Sequence, residues 1–295
     1  MQSTGFRARR FLSAQPQLPK YLRSRSLYRD PSGGNHGRAY GRPEEEVLAQ
    51  FRDGGRLAEL ATQIRRMALT KMGARKLSNL LAHKRAMLYF VQPSTRTFIS
   101  FLNACHILGM KISEIRGTTT SSEVKGESQE DTIRTFASYV DLIIIRHPEA
   151  GFAEKTAWLL NQNKQPVAVI NGGSGPDQHP TQALLDVYTI ADSFPGMNGL
   201  KIALVGDLRY GRTARSLSYL LTKYDDMELI FVAPQVCKME QDIKKYLDKY
   251  QVPWYEEEDL AAVVSEVDCI YMTRVQKERF HSAEDYQTAA SKYIL

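Results

Sequence analysis

Residues 87–105 read Met-Leu-Tyr-Phe-Val-Gln-Pro-Ser-Thr-Arg-Thr-Phe-Ile-Ser-Phe-Leu-Asn-Ala-Cys. The first five form a compact apolar run, the mark of a buried strand. After the turn Pro93-Ser94-Thr95-Arg96-Thr97, the residues Phe98, Phe101, Leu102 and Cys105 fall at i, i+3, i+4 and i+7, the stripe of an amphipathic helix. Gly109 suits the stop of that helix. A strand that hands directly to a helix is half of a βαβ unit, and the plan recurs on both sides of it.

Upstream, regular structure is expected from Pro43. Glu44-Glu45-Glu46 suits a helix start, and a helical pattern runs through Leu60, Ile64 and Met67. Downstream, a helix through Ile133, Phe136, Ala137 and Val140 precedes a strand over 142–145. A strand over 167–170 enters the loop Gly172-Gly173-Ser174-Gly175. A helix from His179, carrying Leu184, Tyr188 and Ala191, ends at Phe194-Pro195-Gly196. Strands over 202–205, 229–232 and 269–272 follow. Between them lie helices through Leu217 and Leu221, through Met239, Ile243 and Leu247, and a short one through Leu260 and Val263. This alternation predicts an α/β fold of two domains, each a mainly parallel sheet flanked by helices. The expected units are residues 1–42, 43–195 and 196–295.

Composition narrows the function classes. The chain has 295 residues, 43% apolar and 24% charged, the balance of a globular protein. No run approaches the roughly 18 apolar residues of a membrane-spanning helix. Cys105, Cys237 and Cys269 lie far apart with no C-x-x-C pair, so neither a thiolate zinc site nor a disulfide framework is expected. The net charge of +6 is not spread evenly. Residues 1–42 carry nine Lys and Arg against Asp30 and net +8, which leaves −2 on the remainder. The basic balance therefore does not point to nucleic acid. That Arg- and Ser-rich segment reads as a disordered tail, or as an organelle transit peptide of similar composition.

Chemistry-bearing residues collect at predicted strand ends. Ser94, Thr95, Arg96 and Thr97 open a helix, where unsatisfied N–H groups favour anions and Arg96 adds a planar fork suited to phosphate. The same residues would also serve as a simple N-cap. Arg146-His147-Pro148 follows a strand directly, where open α/β sheets place ligands, although such a pair is commonly a surface turn. His179-Pro180-Thr181-Gln182 is placed likewise, with a structural histidine as the plainer reading. Residues 121–128, with Ser121 and Lys125, read as a surface loop whose lysine could act as a lid donor. In the second half, Arg212 and Arg274 sit at strand ends and suit carboxylates; G-x-G-x-x-G is absent. No metal cluster, nucleophile triad or redox-cofactor motif is evident, and no cofactor is expected.

Taken in order, the segments resemble the catalytic chain of the aspartate carbamoyltransferases, within the aspartate/ornithine carbamoyltransferase family. The resemblance rests on Pro93-Ser94-Thr95-Arg96-Thr97, Ser121-x-x-x-Lys125-Gly126-Glu127, Arg146-His147-Pro148, His179-Pro180-Thr181-Gln182, Gly206-Asp207-Leu208-x-Tyr210-Gly211-Arg212-Thr213, and Met272-Thr273-Arg274-Val275-Gln276-Lys277-Glu278-Arg279. It covers residue 43 to the end, and the last two motifs separate it from the ornithine branch.

The resemblance implies transfer of a carbamoyl group from carbamoyl phosphate to L-aspartate, the committed step of de novo pyrimidine synthesis. It implies that Ser94, Thr95, Arg96 and Thr97 hold the phosphate. Thr97, Arg146 and His179 would polarise the carbonyl, with Gln182 on the carbamoyl NH₂. Arg212, Arg274 and Gln276 would grip aspartate, and Ser121 and Lys125 would reach in from a neighbouring subunit of a homotrimer. Regulatory or pathway subunits are further conceivable partners; nucleic acid and membrane are not expected. A cytoplasmic site is expected, with an organelle as the alternative. Two features depart from the family: Phe98 stands where an arginine is usual, and the chain stops at Leu295 before an H-P-L-P-R motif and a final helix. The second is expected to leave the second domain incomplete and to weaken domain closure. The rival readings are a non-catalytic relative acting through interactions, and a carbamoyltransferase with another amine acceptor.

Overall fold

The computed structural model describes residues 54–117, 127–175, 178–274, 282 and 286–287. Helices α1 (Gly54–Ala68) and α2 (Lys71–Leu80) lead into β1 (Arg85–Phe90), α3 (Thr95–Ile107), β2 (Lys111–Arg116), α4 (Gln129–Tyr139), β3 (Leu142–His147), α5 (Phe152–Gln162) and β4 (Ala168–Ser174). Helix α6 (Pro180–Ser193) then leads to β5 (Lys201–Val205), α7 (Arg212–Leu221), β6 (Glu228–Val232), α8 (Gln241–Lys249), β7 (Trp254–Glu257), α9 (Leu260–Val263) and β8 (Cys269–Met272). The expected start near Pro43, with its glutamate run, lies outside the described residues.

Each half is a four-stranded sheet whose pairings are all parallel, in the order β2-β1-β3-β4 and β7-β6-β5-β8. Parallel sheets are covered on both faces, so each central strand reads as a continuous apolar run whose alternate residues feed two cores. In β1 and β3, Met87, Tyr89, Ile143 and Ile145 pack with Ile133 and Phe136 of α4 and Phe152 and Leu160 of α5. Their neighbours Ala86, Leu88, Phe90 and Ile144 pack against Phe98 and Cys105 of α3. The second sheet repeats the scheme. Ile202, Leu204, Leu229 and Phe231 meet α6, α7 and α8, while Ala203, Val205, Ile230 and Val232 meet Val263 of α9. Helix α6 follows the first sheet in the chain, yet its Ala183, Val187 and Ile190 belong to the core of the second.

Three sequence expectations needed correction. Arg146 and His147 do not follow a strand; they are its last two residues, and both are buried. The expected loop at Gly172 and Gly173 continues β4 through Ser174. Strands β2 and β7 were not anticipated. Both are edge strands with one neighbour each, and their sequences, Lys-Ile-Ser-Glu-Ile-Arg and Trp-Tyr-Glu-Glu, lack the apolar run of a central strand.

Candidate active site at two strand switch points

In an open parallel sheet, a crevice forms at the carboxyl ends of two neighbouring strands whose following connections run in opposite directions. The first sheet has that point between β1, which leads to β2, and β3, which leads to β4; in the second sheet β6 and β8 flank β5 on opposite sides. The residues at these ends are Gln92 to Thr97 and Arg146 in the first, and Gly206 to Arg212 with Thr273 and Arg274 in the second.

Ser94 is the N-cap residue of α3, in extended backbone conformation, but its side chain makes no capping bond. The cap position is real and the hydroxyl is not consumed by it. Thr95 and Arg96 are exposed in the first turn, where N–H groups have no helical partner. Phe98 turns inward, 3% exposed, edge-on to Phe90 at 5.2 Å, with the Arg116 guanidinium 4.3 Å from its ring centre. Phe98 is thus a core residue.

Three elements converge on His179, the N-cap residue of α6. Its Nε2 lies 3.5 Å from Thr97 Oγ1 of α3 and 3.4 Å from Arg146 Nη1 of β3. Its backbone N–H donates to Ser216 Oγ of α7 at 3.0 Å. Burial, reinforced by Arg212 and Arg146, pushes the imidazole down to about 3, so it is neutral at physiological pH. An arginine only donates, so the neutral Nε2 accepts from it and the proton rests on Nδ1, 3.5 Å from Thr181 Oγ1.

Arg146 is 6% exposed and donates to Gly172 O at 3.1 Å. Burial and Arg212 lower its pKa to about 10, which leaves it charged. Its Nε is buried without a hydrogen-bond partner, and among the described residues no carboxylate pairs with it. A buried guanidinium with unspent donors, beside a second arginine, is an arrangement that an anion would satisfy. Gly173 makes room for it: at φ +124°, a Cβ there would stand 2.5 Å from Arg146 Nη1.

Arg212 opens α7 in the second sheet but reaches back to the first. Its Nη1 donates to Gly175 O and, at 3.3 Å, to Gln92 Oε1 just past β1. Gln182, in the first turn of α6, donates Nε2 to Asp186 Oδ1 at 2.9 Å. Arg274 is exposed just beyond β8, where Thr273 N–H donates to Val205 O at 2.7 Å. Ser121, Lys125 and Gln276 lie outside the described residues.

The structure thus gathers Thr97, Arg146 and His179, with Ser94, Thr95 and Arg96 on the same helix start and Arg212 facing them. Sequence reasoning passed over Gln92, Gly173, Asp186 and Ser216. Of these only the glycine pair carried a local signal, and it was read as a loop. Among the described residues no group of His, Cys, Asp and Glu could hold a metal, and no helix is long and apolar enough to cross a membrane.

Two parallel sheets with arginines at the ends of their strands, joined where Arg212 reaches the first sheet, define a class of α/β proteins suited to anionic ligands, and the comparisons specify the family. Residues 52–192 match the family model described as the aspartate/ornithine carbamoyltransferase carbamoyl-P binding domain, and residues 198–294 match the Asp/Orn binding domain. Aspartate carbamoyltransferase 2, chloroplastic, of Pisum sativum is 48% identical over 208 residues, 70% of this chain and 53% of that protein. The aspartate carbamoyltransferase catalytic subunit of Buchnera aphidicola subsp. Schizaphis graminum is 42% identical over 80% of this chain and 74% of its own length. Among solved structures, the catalytic subunit of M. jannaschii aspartate transcarbamoylase superposes with a TM-score of 0.69 at 36% identity, covering 85% of this chain and 77% of that one. The Trypanosoma cruzi enzyme in complex with carbamoyl phosphate and aspartate gives 0.69 at 34% identity, over 85% and 75%. The chain belongs to the aspartate/ornithine carbamoyltransferase family. It spans about half the length of the plant relatives it matches.

Proposed function

We propose that the protein transfers the carbamoyl group of carbamoyl phosphate to the amino group of L-aspartate, giving N-carbamoyl-L-aspartate and phosphate. The observation that carries this reading is the meeting of Thr97 and Arg146 at His179, beside a helix start bearing Arg96. It is supported by the relatives, whose names are those of aspartate carbamoyltransferases.

The chemistry needs positioning and charge stabilisation rather than a protein nucleophile. The phosphate sits on the start of α3, held by Ser94, Thr95, Arg96 and Thr97. The carbamoyl oxygen lies among Thr97, Arg146 and His179, a set of donors aimed at the charge that develops as the amine attacks. Because His179 is neutral, it adds no charge beside the two arginines; when Arg146 turns its donors to the ligand, the imidazole takes the Nε2–H tautomer and that N–H faces the carbamoyl oxygen. Gln182 holds the carbamoyl NH₂. The α-amino nitrogen of aspartate attacks the carbonyl carbon, the bond to the phosphate oxygen breaks, and the departing phosphate takes the amine proton. Arg96 stabilises the charge that collects on that leaving group. Arg212, Arg274 and Gln276 grip the two carboxylates of aspartate, and Arg212 exchanges its present carbonyl partners for one of them.

Ser121 and Lys125 complete the site from a neighbouring subunit of a homotrimer. The basic, acid-poor residues 1–42 have the composition of a transit segment, and the plant relatives are named chloroplastic, which supports the organelle alternative.

Acceptor choice tests the reading. Purified protein supplied with carbamoyl phosphate should form product with L-aspartate and not with L-ornithine. Equal turnover of both, or turnover of ornithine alone, would overturn the aspartate assignment.

A further inference from the structure

The amide of Gln182 is not free to turn. Its Nε2 donates to Asp186 Oδ1 at 2.9 Å, one helical turn along α6, and Asp186 Oδ2 accepts from Tyr271 Oη at 2.8 Å. Asp186 is partly buried, and both its oxygens are engaged. An ionised carboxylate only accepts, so only the NH₂ end of the Gln182 amide can face it. The carbonyl end, Oε1, is then the face left to meet a ligand in the first turn of α6, beside His179. Tyr271 comes from β8, three residues before Arg274, so the orienting carboxylate is itself held by the second sheet.

We propose that Asp186 is a positioning residue that selects for a carbamoyl over an acyl group, by fixing Gln182 so that Oε1 accepts from an NH₂ on the ligand. A phosphate ester whose carbonyl carries NH₂ satisfies that acceptor. One whose carbonyl carries CH₃, such as acetyl phosphate, leaves it facing a methyl group and unpaired, which disfavours binding. The inference rests on the reading of this site as one for carbamoyl phosphate. Asparagine at position 186 offers both a donor and an acceptor, so it would let the Gln182 amide flip and present either end.

The test is equilibrium binding of carbamoyl phosphate, acetyl phosphate and inorganic phosphate to the wild-type protein, Asp186→Asn and Tyr271→Phe. Wild type should prefer carbamoyl over acetyl phosphate. Asp186→Asn should lower that preference by roughly fivefold or more while leaving inorganic phosphate binding within about twofold. Tyr271→Phe leaves the Gln182–Asp186 pair in place and should keep the preference. An unchanged preference in a folded Asp186→Asn protein would overturn this inference alone. So would an equal loss of all three ligands, or an equal loss of preference in Tyr271→Phe, since each would indicate a merely structural role. A wild-type protein with no preference for carbamoyl phosphate would overturn both this inference and the function on which it rests.

Discussion

Gly173 and Arg146 show how narrowly a single position can be set. The guanidinium occupies the space a side chain at 173 would need, and the backbone there adopts φ +124°, which L side chains rarely accept. Gly173→Ala should therefore displace Arg146 rather than unfold the sheet. Turnover should fall on the order of a hundredfold, the scale of an ångström-sized misplacement, with the circular dichroism spectrum retained. Near-normal turnover would show that Arg146 does not need its present place.

The two buried histidines among the described residues set a second expectation. Burial and Arg212 with Arg146 hold His179 at about 3, and burial with Lys155 holds His147 at about 4, against an unfolded value near 6.5. His147 is stacked on Phe152 at 3.8 Å, and its Nδ1 accepts from Glu149 N–H, which requires a neutral ring. Below pH 6.5 the unfolded chain takes up these protons and the folded one does not. Stability from this source is complete above about 6.5 and is lost as pH falls toward 4 and then 3. Urea midpoints measured from pH 7.5 to 4.5 should decline across that window; a flat profile would contradict the neutral, buried histidines.

At the scale of elements, α6 and α7 are tied by one bond at the site. The His179 N–H donates to Ser216 Oγ, and Ser216 is fully buried. Ser216→Ala leaves that N–H without a partner and should cost about 1–3 kcal/mol of unfolding free energy. Denaturant titration measures it, and no change would mean that the helices are registered by their apolar packing alone.

Elements were legible in the sequence where burial imposes a pattern. The apolar runs at residues 87–91, 142–145, 202–205 and 229–232 announce central strands because both faces are covered. Edge strands β2 and β7 are silent, since Glu114 and Glu257 are tolerated where a strand has one neighbour and an accessible side. The helix-start cluster Ser94 to Thr97 was legible for the same local reason. Asp186, Ser216 and Gln92 were not, because their partners Tyr271, His179 and Arg212 lie 85, 37 and 120 residues away in sequence.

Over the whole molecule, Arg212 links the two parallel sheets: it opens α7 beside the second and donates to Gln92 and Gly175 at the strand ends of the first. Helix α6 belongs to both halves: its start carries His179 and Gln182 at the first crevice, while its apolar face lies in the second core.

The central claim is that the start of α3 and the His179 cluster form one catalytic unit for carbamoyl transfer. It is tested most directly by the aspartate-dependent rate of carbamoyl aspartate formation in wild type and Arg96→Ala, at saturating carbamoyl phosphate. Arg96 is exposed, so its removal should spare the fold. The account predicts product from wild type and a loss in kcat of about a hundredfold or more in the variant, the low end for one transition-state donor. Absence of product from the wild-type protein, or an undiminished kcat in Arg96→Ala, would contradict it.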